Sequence, residues 1–153
     1  MRRVGVLGVG VGVFLADRLV ERWALGHLTA GRPLGVWPPY VNLTLTVNTG
    51  AAFSLLRHQT WLFVAVAVLV VGAVAVWLAR TRRVGPRAGW AAGLVAGGAA
   101  GNLWDRLVAG RVIDYVQVGI WPVFNLADAA IVVGMGLWLW ESWARERRRA
   151  SEI

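Results

Sequence analysis

The chain has 153 residues, 58% of them hydrophobic, and a mean hydropathy of +0.58, which is more apolar than a soluble domain of this length. Its net charge of +8 comes from sixteen Arg and no Lys, and these Arg cluster at the ends of apolar runs, a topology signal and not a nucleic-acid-binding surface. The absence of Cys excludes disulfides, thiolate nucleophiles and Cys-ligated metals, and neither His27 nor His58 has a second His at ligand spacing, so a zinc site is not expected.

Four apolar segments approach the ~20 residues that cross a bilayer. The first, about 4–20, follows Arg2 and Arg3. A secretory signal peptide has the same charged head and short apolar core. Against that reading, apolar character resumes through Leu19 and Val20 to Trp23, and three more such segments follow, which favours a retained helix. An outer loop of about 24–60 comes next. Within it Val41–Val47 alternates apolar and polar residues and predicts a strand; Asn48-Thr49-Gly50 is a turn signal, followed by a short interfacial segment. The second span, about 61–79, is uncharged. The third, about 88–104, is uncharged and rich in Gly and Ala, with Gly97 and Gly101 spaced for close helix contact. The fourth, about 123–140, is interrupted only by Asp128. Tryptophans bracket the spans, as in an aromatic belt at the headgroups.

The expected fold is therefore one membrane α-helical domain over residues 1–153: four transmembrane helices, a small extracytoplasmic β-sheet and an interfacial segment. If the spans alternate, ten Arg (2, 3, 80, 82, 83, 87, 145, 147, 148 and 149) lie on one side and six on the other, which puts both termini in the cytoplasm. All four aspartates of the chain, Asp17, Asp105, Asp114 and Asp128, then fall toward the outer face. An ionisable group at bilayer depth costs at least ~2.5 kcal/mol, so each is a candidate functional residue. A proton- or cation-coupled transporter is one rival, but it predicts mid-span acidic residues and an internal repeat, and neither is present. A structural subunit with capped helices is another; it leaves the strand and the segment after it without a role.

Three stretches could carry chemistry. Asn102 and Arg106 share a helical face beside Asp105, which fits either a site or a charge-neutralised helix end. Asp114 lies amid apolar neighbours, where desolvation favours the neutral carboxyl. Asn125-Leu126-Ala127-Asp128 has the form of a capping box, and capping alone would account for it. It would not account for the isolated Asp114 fourteen residues earlier. Two carboxyls brought close together share a proton and titrate as a pair, which suits them to activate water. With no Lys and no His in a pairing motif, Ser54 is read as structural.

The blocks Asn48-Thr49-Gly50-Ala51-Ala52-Phe53, Gly97-Gly98-Ala99-Ala100-Gly101-Asn102-Leu103-Trp104-Asp105-Arg106, Gly110-Arg111-Val112-Ile113-Asp114-Tyr115 and Pro122-Val123-Phe124-Asn125-Leu126-Ala127-Asp128 resemble, in order and spacing, the lipoprotein signal peptidase family (signal peptidase II). The resemblance covers nearly the whole chain. It implies an aspartic intramembrane protease of the bacterial cytoplasmic (inner) membrane, active at the outer leaflet. Such an enzyme cuts prolipoproteins just before a diacylglyceryl-modified Cys. The same resemblance implies a catalytic pair of Asp114 and Asp128, with Asn48, Gly50, Ala52, Gly98, Asn102, Arg106, Asn125, Ala127 and Asp17 as surrounding substrate-binding or orienting residues. It implies no metal and no cofactor; the expected partners are lipidated prolipoproteins and membrane lipid, with no nucleic acid and a monomeric state. Two departures stand out. Glu21 occupies the place where the family usually has Lys, four residues after its first-helix Asp, and the connection between the two Asp blocks is short.

Overall fold

Helix α3 (Pro86–Ala109) is the centre of the molecule, and its composition explains why. A run of Gly and Ala gives it a thin profile, so α1 (Arg3–His27), α2 (Thr60–Arg80) and α4 (Leu126–Ala150) all pack directly against it. Pro86 opens α3 and Gly110, with a φ of 69°, closes it in the left-handed conformation that glycine adopts freely. The computed structural model describes residues 1–50 and 59–150.

Three strands, β1 (Leu34–Trp37), β2 (Val41–Asn48) and β3 (Val112–Val118), form an antiparallel sheet in that order. The expected strand at 41–47 is β2. Its partners differ in origin: β1 precedes it in the same loop, whereas β3 follows α3. Pairing of Thr46 with Asp114 and of Asn48 with Val112 carries the β3 carboxyl to the end of β2. An irregularity between Leu43 and Thr46 shifts the register there.

Two apolar clusters hold the ends. Val6, Leu78, Val84 and Ala92 pack at one end. Ala24, Leu28, Ile113 and Tyr115 join α1 to the sheet at the other. Among the described residues, the buried polar groups are Asp17, Thr44, Asn102, Asp105, Asp114 and Asn125. Large apolar side chains point outward, among them Leu19, Leu69 and Val132 at 66–70% exposure. That inversion of the soluble pattern matches an apolar surrounding solvent.

The helix bounds differ from the sequence expectation. α1 continues to His27, α3 begins at Pro86 and runs on to Ala109, and α4 starts at Leu126 and not at Val123 because Asn125 caps it. Among the described residues only α2 is, by itself, long and apolar enough to cross a membrane. The physical reason is local composition. α1 carries Asp17, Arg18 and Glu21, α3 is diluted by glycine, and α4 holds Asp128 and Glu141. The interfacial segment expected after Gly50 lies outside the described residues.

Candidate active site

The first turn of α4 shows how the fold supplies Asp128. A helix starts with backbone N–H groups that have no partner within it. Here side chains from β3, from α1 and from the residue just before the helix take them. Leu126 N–H donates to the Tyr115 hydroxyl of β3 (3.0 Å), Ala127 N–H to Asp17 Oδ1 of α1 (3.0 Å), and Asp128 N–H to Asn125 Oδ1 (2.8 Å). Asn125 N–H donates back to Asp128 Oδ2 at 3.4 Å, completing the reciprocal capping box anticipated from the sequence.

Asp128 has a second contact that capping does not require. Asn102 Nδ2 of α3 donates to its Oδ1 at 2.7 Å, and Asn125 Nδ2 donates to Asn102 Oδ1 at 3.0 Å. Arg106 reaches back to the Asn102 carbonyl (3.1 Å) and across to the Gly50 carbonyl (3.4 Å). Its guanidinium lies over the Phe63 ring.

Asp114 enters from β3. The Asn48 amide donates to its Oδ2 at 2.8 Å, while Gly50 N–H donates to Asn48 Oδ1 at 2.9 Å and fixes that side chain. Asp114 Oδ1 is buried and has no hydrogen-bond partner among the described residues. Burial pushes the Asp114 carboxyl up to about 7; the Asn48 hydrogen bond opposes this, and the nearby Asp128 charge adds to it. Asp128 is therefore close enough to act on Asp114 electrostatically, and Arg106 faces both.

Asn48, Gly50, Asn102, Arg106 and Asp128 border one cavity of about 790 Å³. Phe63, Val66 and Val70 of α2 and Ile131, Val132 and Val133 of α4 form its apolar walls. A chain or tail of mainly apolar character can occupy such a space with a backbone amide presented to the polar end.

Every site residue expected from the sequence can be placed except Ala52, which lies outside the described residues. Asn48, Gly50, Asn102, Arg106 and Asp128 border the cavity, Asp114 joins them through Asn48, and Asn125 joins them through Asn102 and Asp128. Gly98 serves the helix crossing: a Cβ there would collide with the Ala127 carbonyl of α4. Ala127 contributes its backbone. Asp17 belongs to a separate buried cluster behind the α4 backbone contact, with Glu21 and Asp105.

Two contributors are not apparent from the sequence motifs. One is the Tyr115 hydroxyl, which ties β3 to α4. The other is Arg18, which binds Asp17, Glu21 and Asp105 together. The only advance signal for Arg18 was its place beside Asp17 and three residues before Glu21. The three carboxylates of that cluster have oxygens within 4.8 Å of one another, but the Arg18 guanidinium already supplies their cation.

Comparisons with known proteins agree with this architecture. The family model described as Signal peptidase (SPase) II matches residues 9–144. A lipoprotein signal peptidase of Pelotomaculum thermopropionicum is 44% identical over 84% of this chain and 84% of its own length. One from Desulfitobacterium hafniense is 40% identical over 86% of this chain and 89% of its own, and one from Pseudomonas aeruginosa 40% identical over 86% and 83%. A solved bacterial membrane enzyme superposes with a TM-score of 0.85 over 91% of this chain and 87% of its own, at 24% identity. A second gives 0.79 over 88% and 89%, at 25% identity. Matched along most of its length by a family model and by relatives well above 30% identity, the chain belongs to the signal peptidase II family of membrane proteases.

Proposed function

We propose that this protein removes signal peptides from bacterial prolipoproteins by cutting the amide bond before a diacylglyceryl-modified Cys, with Asp114 and Asp128 as an aspartic dyad. The observation that carries the reading is the pair itself. Two carboxyls from a strand and a helix, each held by an Asn amide and both beside Arg106, are near enough to act on one another electrostatically, and Asp128 borders a large apolar cavity.

The hydrogen bonding divides the roles. Asp128 accepts from Asn102 and from the Asn125 N–H at the start of α4, and is assigned the role of base. Asp114 accepts from one amide and has a buried second oxygen, an environment that favours the neutral acid. Asp128 takes a proton from water as the water oxygen bonds to the scissile carbonyl carbon. Asp114 gives its proton to the carbonyl oxygen, so no free oxyanion is left in an apolar site. On collapse the C–N bond breaks, Asp128 passes its proton to the leaving amine, and Asp114 recovers one from a hydroxyl of the diol carbon. Arg106, beside both carboxyls, and the Asn48 and Asn102 amides keep the pair in register.

In this reading the four helices are transmembrane, both termini are cytoplasmic, and the dyad faces the outer leaflet of the cytoplasmic membrane. The apolar walls formed by α2 and α4 then let acyl chains stay in lipid while the peptide is cut. A monomer suffices.

The test uses purified wild type, Asp114→Asn and Asp128→Asn in detergent, each given a diacylglyceryl-modified prolipoprotein and its unlipidated form. Cleavage of the lipidated substrate alone by wild type, and none by either folded variant, is the expected result. Cleavage by both variants would remove the dyad. An inert wild type, under conditions where another lipoprotein signal peptidase works, would remove the function.

A further inference from the structure

The cluster formed by Asp17, Arg18 and Glu21 of α1 with Asp105 of α3 has no part in the reaction as written, yet it touches the helix that carries Asp128. Both terminal nitrogens of Arg18 are engaged. Nη1 binds Asp105 Oδ1 and also Glu21 Oε2, the latter at 2.6 Å. Nη2 binds Asp17 Oδ2 at 2.6 Å and Asp105 Oδ2 at 3.0 Å. The other oxygen of Asp17 accepts the Ala127 N–H. Ala127 has no exposed surface, so water is not available as a replacement partner. Helix α3 is built to admit this arrangement: a Cβ at Gly101 would stand 2.6 Å from Asp17 Oδ2.

We propose that Arg18 is a positioning residue for the reaction. Its planar fork fixes Asp17 and Asp105 at once, Asp17 holds the Ala127 N–H, and the first turn of α4 is thereby set so that Asp128 meets the substrate. A guanidinium suits this task because its donors diverge in fixed directions. The inference rests on the reading of Asp128 as a dyad member.

The test compares wild type with Arg18→Gln, Arg18→Lys and the triple variant Arg18→Gln/Glu21→Gln/Asp105→Asn. Each is the full chain in detergent, with a diacylglyceryl-modified prolipoprotein as substrate and thermal unfolding followed in parallel. Arg18→Gln is expected to lower kcat about tenfold or more with KM within about threefold of wild type, because the cavity that receives the substrate is unchanged. Arg18→Lys keeps a cation near the carboxylates but not the fork, so it is expected to recover kcat only in part, staying more than about threefold below wild type. The triple variant relieves the carboxylate repulsion; it is expected to regain thermal stability without regaining kcat, and it decides the matter if Arg18→Gln alone does not fold.

A folded Gln variant, single or triple, with kcat near that of wild type overturns the proposal, as does a loss confined to KM. Asp128→Asn serves as the control. If wild type is active, Asp128→Asn is dead and the Arg18→Gln variants turn over normally, this inference alone falls. If wild type is inert or Asp128→Asn still cuts, the proposed function falls and takes the inference with it.

Discussion

Replacing Asp114 by Asn should make the protein more stable as it makes it inactive. In the unfolded chain this carboxyl ionises near its ordinary 3.8, whereas burial in the fold pushes it up to about 7. Between those values the folded state keeps a proton that the unfolded state has lost, so stability falls as pH rises. The stabilisation is fully present below about pH 4 and is lost by the time pH has passed through 7. Three tenfold steps at about 1.36 kcal/mol each give a loss of about 4 kcal/mol, an upper figure because the site can relax. Asp114 is 1% exposed, so solvent screening reduces it little. Asn has the shape of the neutral acid, keeps an oxygen for the Asn48 amide, and does not titrate. Thermal unfolding of wild type and Asp114→Asn, followed by tryptophan fluorescence in detergent from pH 4 to pH 9, should give similar midpoints at the acid end. By pH 8 the variant should lead by up to on the order of 10 °C. Parallel curves across the whole range would mean that Asp114 titrates as an ordinary carboxyl, and the argument for a neutral acid in this position would fail.

The same shift makes a catalytic prediction: if neutral Asp114 donates to the carbonyl, kcat should decline as pH passes about 7, and a rate still rising at pH 9 would exclude that role. Gly98→Ala should cost about 1–3 kcal/mol and lower activity, since its methyl meets the Ala127 carbonyl one residue from Asp128; an unchanged melting midpoint with full turnover would show that α3 and α4 can separate freely. EDTA should leave cleavage intact, because Asn48 and Asn102 direct N–H donors, not oxygens, at the dyad; loss restored by a divalent ion would contradict this.

What the sequence showed and what it hid follow from the range of the interactions. Asp114 and Asp128 stood out because charge is rare in apolar surroundings, and the capping box stood out because its partners are three residues apart. The strand at 41–47 was visible from its alternation. Its neighbours were less so: β1 contains Gly35 and is followed by two prolines, which erase any strand pattern, and β3 pairs with β2 only after a whole helix hairpin has intervened. Helix ends were misjudged where hydropathy and capping disagree. Val123 and Phe124 are apolar enough to extend the fourth span backward, yet Phe124 N–H bonds the Val116 carbonyl and belongs with the sheet.

Arg18 shows the limit most clearly. As a sequence feature it is one of six Arg on the expected outer side, adjacent to an Asp and three residues before a Glu. The contact that gives it meaning is with Asp105, 87 positions away, and its effect reaches Asp128 through a backbone N–H that carries no sequence signal at all. Glu21 looked like a lost cation in the family pattern. In the fold it is one of three carboxylates gathered on a guanidinium supplied from the previous turn of the same helix. A charge at a given position is therefore a poor unit of comparison between relatives. The net charge of the cluster, and whether its cation can reach both α3 and the carboxylate that holds α4, are better ones.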